Sequence, residues 1–123
     1  MNCLVFGYGY MGRIRTQVLR GHPDVKKIWV VDPHLNPASK TELKELLLSE
    51  GAPIPWDQVD AAFICTPNNV TAELCVEGLR RCGRVFCEKP PGRNWEDFSR
   101  IAEAAAAVPG HTLVFGFNHR LHP

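Results

Sequence analysis

The chain has 123 residues, of which 45% are hydrophobic and 22% charged, with a formal net charge of +1. That length holds one domain with one core, and the balance is that of a soluble globular protein. The near-neutral charge gives no reason to expect nucleic acid, a membrane surface or an acidic partner. No apolar run approaches the roughly 20 residues of a membrane span.

The first apolar run starts at Cys3 and stops at Gly7, with no basic segment before it. It reads as a strand at a native N-terminus rather than as a signal peptide. A helix is predicted over 11–20, with Met11, Ile14 and Val18 on one face, and Gly21-His22-Pro23 stops it. Residues 27–31 form the second strand. Asn36-Pro37 offers a cap and a first-turn proline for a second helix, with Leu43, Leu46 and Leu47 as its buried stripe and Gly51 at its end. Residues 61–65 make a third, wholly apolar strand. Asn68 or Asn69 can cap a helix running to Cys82, with Ala72, Cys75, Val76 and Leu79 inward and Gly83 just past its end. Residues 85–87 are a fourth strand. Asn94 opens a helix carrying Trp95, Phe98, Ile101, Ala102 and Ala105 at helical spacing. After Pro109-Gly110, residues 112–117 are a fifth strand. Strands alternating with helices, and apolar on both faces, predict a doubly wound parallel α/β sheet across a single domain, 1–123.

Cys3, Cys65, Cys75, Cys82 and Cys87 are odd in number, with no CxxC pair and no zinc spacing. They are expected to be reduced structural thiols of a cytoplasmic protein. His119 and His122 lack the further ligands that a metal needs.

Gly7-Tyr8-Gly9-Tyr10-Met11-Gly12 is GxGxxG between a strand and a helix, the context that gives the pattern meaning. Gly7 permits the tight turn, Gly9 admits a pyrophosphate to the backbone, and Gly12 lets the helix pack close to the strand. The first free amides of the helix then face the phosphates. Arg13 and Arg15 add a positive field at a distance. Asp32, twenty residues after Gly12, stands just past the second strand. A carboxylate there accepts from both hydroxyls of an adenosine ribose and repels a 2′-phosphate, favouring NAD over NADP. His34 and Lys40 soften that discrimination.

Three more segments end strands at the same sheet edge: Thr66-Pro67-Asn68, Glu88-Lys89-Pro90 and Gly116-Phe117-Asn118-His119-Arg120. Together with the glycine turn they make the chain resemble, over nearly its whole length, the N-terminal Rossmann domain of the Gfo/Idh/MocA oxidoreductases. The resemblance implies hydride transfer between a nicotinamide cofactor and a carbinol carbon of a sugar, cyclitol or nucleotide sugar. It implies that Thr66, Pro67 and Asn68 line the nicotinamide ribose and that Glu88 touches the cofactor end of the pocket. Lys89 would lie beside the nicotinamide and the reacting hydroxyl, where it stabilises alkoxide charge or orients a proton relay. Arg120 would stand near the nicotinamide face, and a cis Lys89–Pro90 bond is in keeping with the family. Thr71 departs from the pattern, in which a histidine is common, and Pro91 doubles the proline.

Family enzymes carry a second domain that supplies most of the substrate pocket and the acid/base group. Placement of the reacting carbon is worth several kcal/mol of barrier. The chain alone, lacking a C-terminal substrate domain, is therefore expected to bind NAD weakly and turn over nothing, and a sugar-like substrate would require that second domain. The alternative is a non-catalytic dinucleotide-sensing module, against which Lys89 argues. Phe115, Phe117 and Leu121 near the end predict self-association through uncovered apolar surface or a sheet edge.

Overall fold

A computed structural model describes residues 1–36, 44–48 and 51–117. Six parallel strands form one sheet: β1 (Asn2–Phe6), β2 (Lys27–Val31), β3 (Glu45–Leu48), β4 (Ala61–Ile64), β5 (Arg84–Cys87) and β6 (Thr112–Phe115). Their order is β3-β2-β1-β4-β5-β6. Helices α1 (Tyr10–Gly21), α2 (Asn68–Cys82) and α3 (Trp95–Ala107) connect them. The order reverses between β1 and β4, so a crevice opens at their C-terminal ends.

The sheet separates two apolar clusters. Leu4 and Phe6 join Ala72, Cys75, Leu79, Ile101 and Ala105 of α2 and α3. Cys3 and Val5, pointing the other way along β1, join Leu19 of α1 with Ile28 and Val30. Successive side chains of a strand alternate faces, so a strand covered on both sides is apolar throughout.

Four local expectations change. The helix expected between Asn36 and Gly51 is, at Glu45–Leu48, a strand paired with β2 in the register Ile28↔Glu45 to Val31↔Leu48. A short leucine run fits either period, and here the free edge of β2 supplies its backbone partners. Leu43 lies outside the described residues. Along α1 the buried residues are Gly12, Thr16 and Leu19, while Val18 is exposed. The packing face is built of small residues, and the Thr16 hydroxyl donates to the Gly12 carbonyl at 2.8 Å, so hydrophobic periodicity points to the wrong side. No asparagine caps α2: Pro67 holds the cap position without a side-chain bond. Gly83 does close α2 in the left-handed region, with φ 71°. On α3, Trp95 and Ala102 face outward, and Asp97, Ile101, Ala104 and Ala105 are buried.

The first turn of α3 is held by charge. The Asn94 side chain accepts from the Asp97 amide at 3.0 Å. The Asp97 carboxylate accepts from the Arg93 amide at 2.9 Å and from its Nε at 2.9 Å. These bonds from Arg93 hold the Asp97 carboxyl at about 2, below the ordinary 3.8. A carboxyl depressed in the folded state contributes fully above its unfolded pKa and loses that contribution as pH falls through its folded one. Acid melts of Asp97→Asn should therefore show a weaker dependence on pH between 3.8 and about 2 than the parent chain.

Candidate functional site

The turn after β1 is shaped by two close approaches. Gly7 has φ +85°, and a Cβ there would lie 2.6 Å from the Cys65 carbonyl oxygen. A Cβ on Gly12 would lie 1.9 Å from the Gly7 carbonyl oxygen. Gly9 differs from both. Its φ of −68° and ψ of −161° suit any residue, and a Cβ there would meet nothing within 4 Å. No neighbour among the described residues demands a glycine at position 9. Helix α1 starts at this point without a side-chain cap and without an acidic residue in its first turn. Its first amides have no side-chain acceptor at the cap.

Across the turn stands Asp32. Its Oδ2 accepts from the Tyr8 amide at 2.7 Å and its Oδ1 from the His34 amide at 2.8 Å. Each oxygen keeps a lone pair for a further donor. Gly7, Gly9, Tyr10, Met11, Asp32, Thr66 and Pro67 line one cleft of about 890 Å³. That volume falls within the range of cofactor and small-molecule pockets.

Tyr8, Gly12, Asn68, Glu88 and Lys89 are not among the residues that line the cleft. Gly12 is buried under the turn. Tyr8 sends its hydroxyl to Glu45, 3.1 Å away. Asn68 is exposed at the start of α2, and Lys89 is exposed past the end of β5, before a cis Lys89–Pro90 bond. Arg120, with Asn118, His119 and Leu121, lies outside the described residues. Glu88 is buried, and its Oε1 accepts from Arg15 Nε at 2.6 Å. Arg15 thus belongs to an ion pair and not to a diffuse field. The Arg13 guanidinium lies 5.1 Å from the centre of the Tyr8 ring. Thr71, at the departure from the family pattern, is buried and donates to the Pro67 carbonyl at 3.0 Å, bracing the Thr66-Pro67 loop.

Sequence reasoning placed His34 beside Asp32 but missed other lining residues, among them Cys65, Val70, Glu73 and Leu74. They follow strand ends or fill the first turns of α2, so counting forward from each strand end would have found them. Burial, and then the Glu88 carboxylate, push the Cys65 thiol up to about 12. It is a protonated, apolar part of the wall. All five cysteines are free. Among the described residues no helix is long and apolar enough to cross a membrane.

The model of the oxidoreductase family GFO_IDH_MocA, NAD-binding Rossmann fold, matches residues 1–115. The chain belongs to this family. Among GFO_IDH_MocA relatives, 2,7-anhydro-N-acetylneuraminate hydratase of Escherichia coli is 30% identical over 121 residues. That match covers 94% of this chain and 32% of the relative. Inositol 2-dehydrogenase of Rhizobium meliloti is 27% identical over 126 residues, covering 97% of this chain and 36% of the relative. The crystal structure of scyllo-inositol dehydrogenase from Lactobacillus casei, with bound NAD(H) and scyllo-inositol, shares the fold with a TM-score of 0.81 at 20% identity. It is covered over 37% of its length by 99% of this chain. The chain thus spans about a third of the length of the GFO_IDH_MocA proteins it matches.

Proposed function

We propose that this chain is the NAD-binding part of an oxidoreductase that moves a hydride between nicotinamide and a carbinol carbon of a sugar, cyclitol or nucleotide sugar. The observation that carries the proposal is the cleft lined by both Asp32 and Gly9, a glycine that no described neighbour requires. In this reading Gly7, Gly9, Gly12 and the first amides of α1, through Tyr10 and Met11, receive the pyrophosphate. Asp32 accepts from the adenosine ribose, with its carboxylate oriented by the Tyr8 amide. Thr66, Pro67 and Asn68 border the nicotinamide ribose. Lys89 reaches the reacting hydroxyl and stabilises negative charge on its oxygen. Glu88 sets the strand end from which Lys89 departs, and Arg120 stands near the nicotinamide. Bound NAD supplies the hydride acceptor, and the chain's own residues supply orientation. The substrates in the relatives' names, inositols and an anhydro sugar acid, support a polyhydroxylated ring compound. With a third of the relatives' length, this chain alone is expected to bind cofactor and to leave such rings unconverted.

Calorimetric titration tests the reading. NAD should bind the chain more tightly than NADP. Asp32→Ala should weaken NAD by about tenfold, the worth of hydrogen bonds to a charged acceptor, and narrow the gap to NADP. Absence of binding at millimolar NAD would remove the cofactor claim. Unchanged NAD affinity in Asp32→Ala would remove the ribose role.

A further inference from the structure

Glu45 lies on the edge strand β3 with only 4% of its surface exposed, and nothing in the cofactor reading uses it. Its carboxylate has partners on both oxygens. Arg20, in the last turn of α1, donates Nε to Oε1 at 3.0 Å, with Nη2 on the same oxygen. Oε2 accepts from the Tyr8 hydroxyl at 3.1 Å. Tyr8 is the residue between Gly7 and Gly9, and each of its polar groups is engaged. Its amide donates to Asp32 Oδ2 at 2.7 Å, its carbonyl accepts from Arg13 Nε at 3.1 Å, and its hydroxyl goes to Glu45. Burial and the bond to Glu45 raise the phenol's pKa, which keeps it a donor at neutral pH. One connected path therefore runs from the end of α1 through β3 and the glycine turn to the carboxylate at the end of β2.

We propose that Glu45 is a positioning residue for the dinucleotide: through the Tyr8 side chain it fixes the glycine turn and the orientation of Asp32. The inference rests on the reading that the cleft takes NAD. Tyr8 is pinned at both ends, by its phenol to β3 and by its amide to Asp32. The bond from the phenol to Glu45 and the bond from the amide to Asp32 thus restrain the same residue from two sides. A hydrogen bond onto a carboxylate is stronger than one between neutral groups. The Arg20 pairing holds the buried Glu45 side chain in place to accept it.

A double-mutant cycle on NAD affinity tests this, with the chain titrated calorimetrically and melted in parallel. Tyr8→Phe removes one hydroxyl and keeps the ring. It should weaken NAD about fivefold, the scale of one hydrogen bond. In an Asp32→Ala background the same substitution should cost nothing, because the carboxylate that it positions is gone. Glu45→Gln, whose amide oxygen still accepts from the phenol, should lose less affinity than Tyr8→Phe. A role confined to stability would lower the melting temperature and cost the same affinity in both backgrounds, and that result would overturn the inference. So would unchanged NAD affinity in Tyr8→Phe. If Glu45→Gln does not fold, the Tyr8→Phe cycle decides. If the unaltered chain does not bind NAD, the cofactor reading itself fails, an outcome distinct from either of these.

Discussion

Gly12→Ala and Gly9→Ala should both weaken dinucleotide binding strongly, the first with a large loss of stability and the second with none. At position 12 the new Cβ would lie 1.9 Å from the Gly7 carbonyl oxygen and 2.8 Å from its carbon. Both are backbone atoms, so relief requires the turn to open or α1 to lift from the sheet. Overpacking of this kind costs about 3 kcal/mol or more, out of the roughly 5–15 kcal/mol that holds a domain together. At position 9 the backbone suits alanine and the methyl meets nothing within 4 Å. Replacing such a glycine restricts the unfolded chain and adds up to about 1 kcal/mol of stability. In the proposed cofactor reading the methyl would nevertheless stand in the way of the pyrophosphate. Thermal melts paired with NAD calorimetry separate the two. Gly9→Ala should melt at or above the parent temperature with affinity reduced by about a hundredfold, the loss of two or more charge-assisted bonds. Parent-like NAD affinity in Gly9→Ala would mean that no phosphate comes near this glycine, and the cleft would need another ligand.

Much of this architecture is legible in the sequence because the signals are local. The strand–glycine–helix order at Gly7 to Gly12 needs only steric rules, and Asp32 follows from counting along one βαβ unit. The apolar runs at β1, β2 and β4 announce strands covered on both faces. The failures share a different cause, which is that the deciding partner is distant. Glu45–Leu48 has no period of its own, and its strand character comes from backbone bonds to β2. Glu45 is buried because Arg20 and Tyr8, 25 and 37 positions away, receive its charge. The buried side of α1 is chosen by Gly12 fitting under the turn, and hydrophobicity does not encode that choice. The site divides in the same way. Gly7, Gly9, Asp32, Thr66 and Pro67 meet around one cleft, whereas the partnership of Arg15 with Glu88 spans 73 positions and leaves no sequence trace.

That partnership carries the second large effect. Arg15→Met should destabilise the chain by about 3 kcal/mol, because removing one member of a buried pair leaves an uncompensated charge. The Arg15 side chain is 22% exposed and that of Glu88 only 8%. The guanidinium also lies 4.7 Å from the centre of the Phe86 ring, a contact worth a further ~0.5–1 kcal/mol. Glu88 has little room to escape toward water: a Cβ on Gly116 would already come within 2.7 Å of its Oε2. Arg15, by contrast, can reach solvent, so Glu88→Gln should cost only about 1–2 kcal/mol. Combining the two substitutions removes both charges and should recover most of the loss. Urea melts of the two single variants and the double variant measure this directly. A loss under about 1 kcal/mol for Arg15→Met, or a double variant no more stable than Arg15→Met, would show that the pair is not what keeps Glu88 in place. The consequence reaches beyond stability. Arg15 lies on the helix that begins at the glycine turn, and Glu88 immediately precedes Lys89 at the end of β5. The pair is thus a strut between the helix proposed to receive the pyrophosphate and the strand end from which Lys89 departs. At 2.6 Å, it couples that strand end directly to α1.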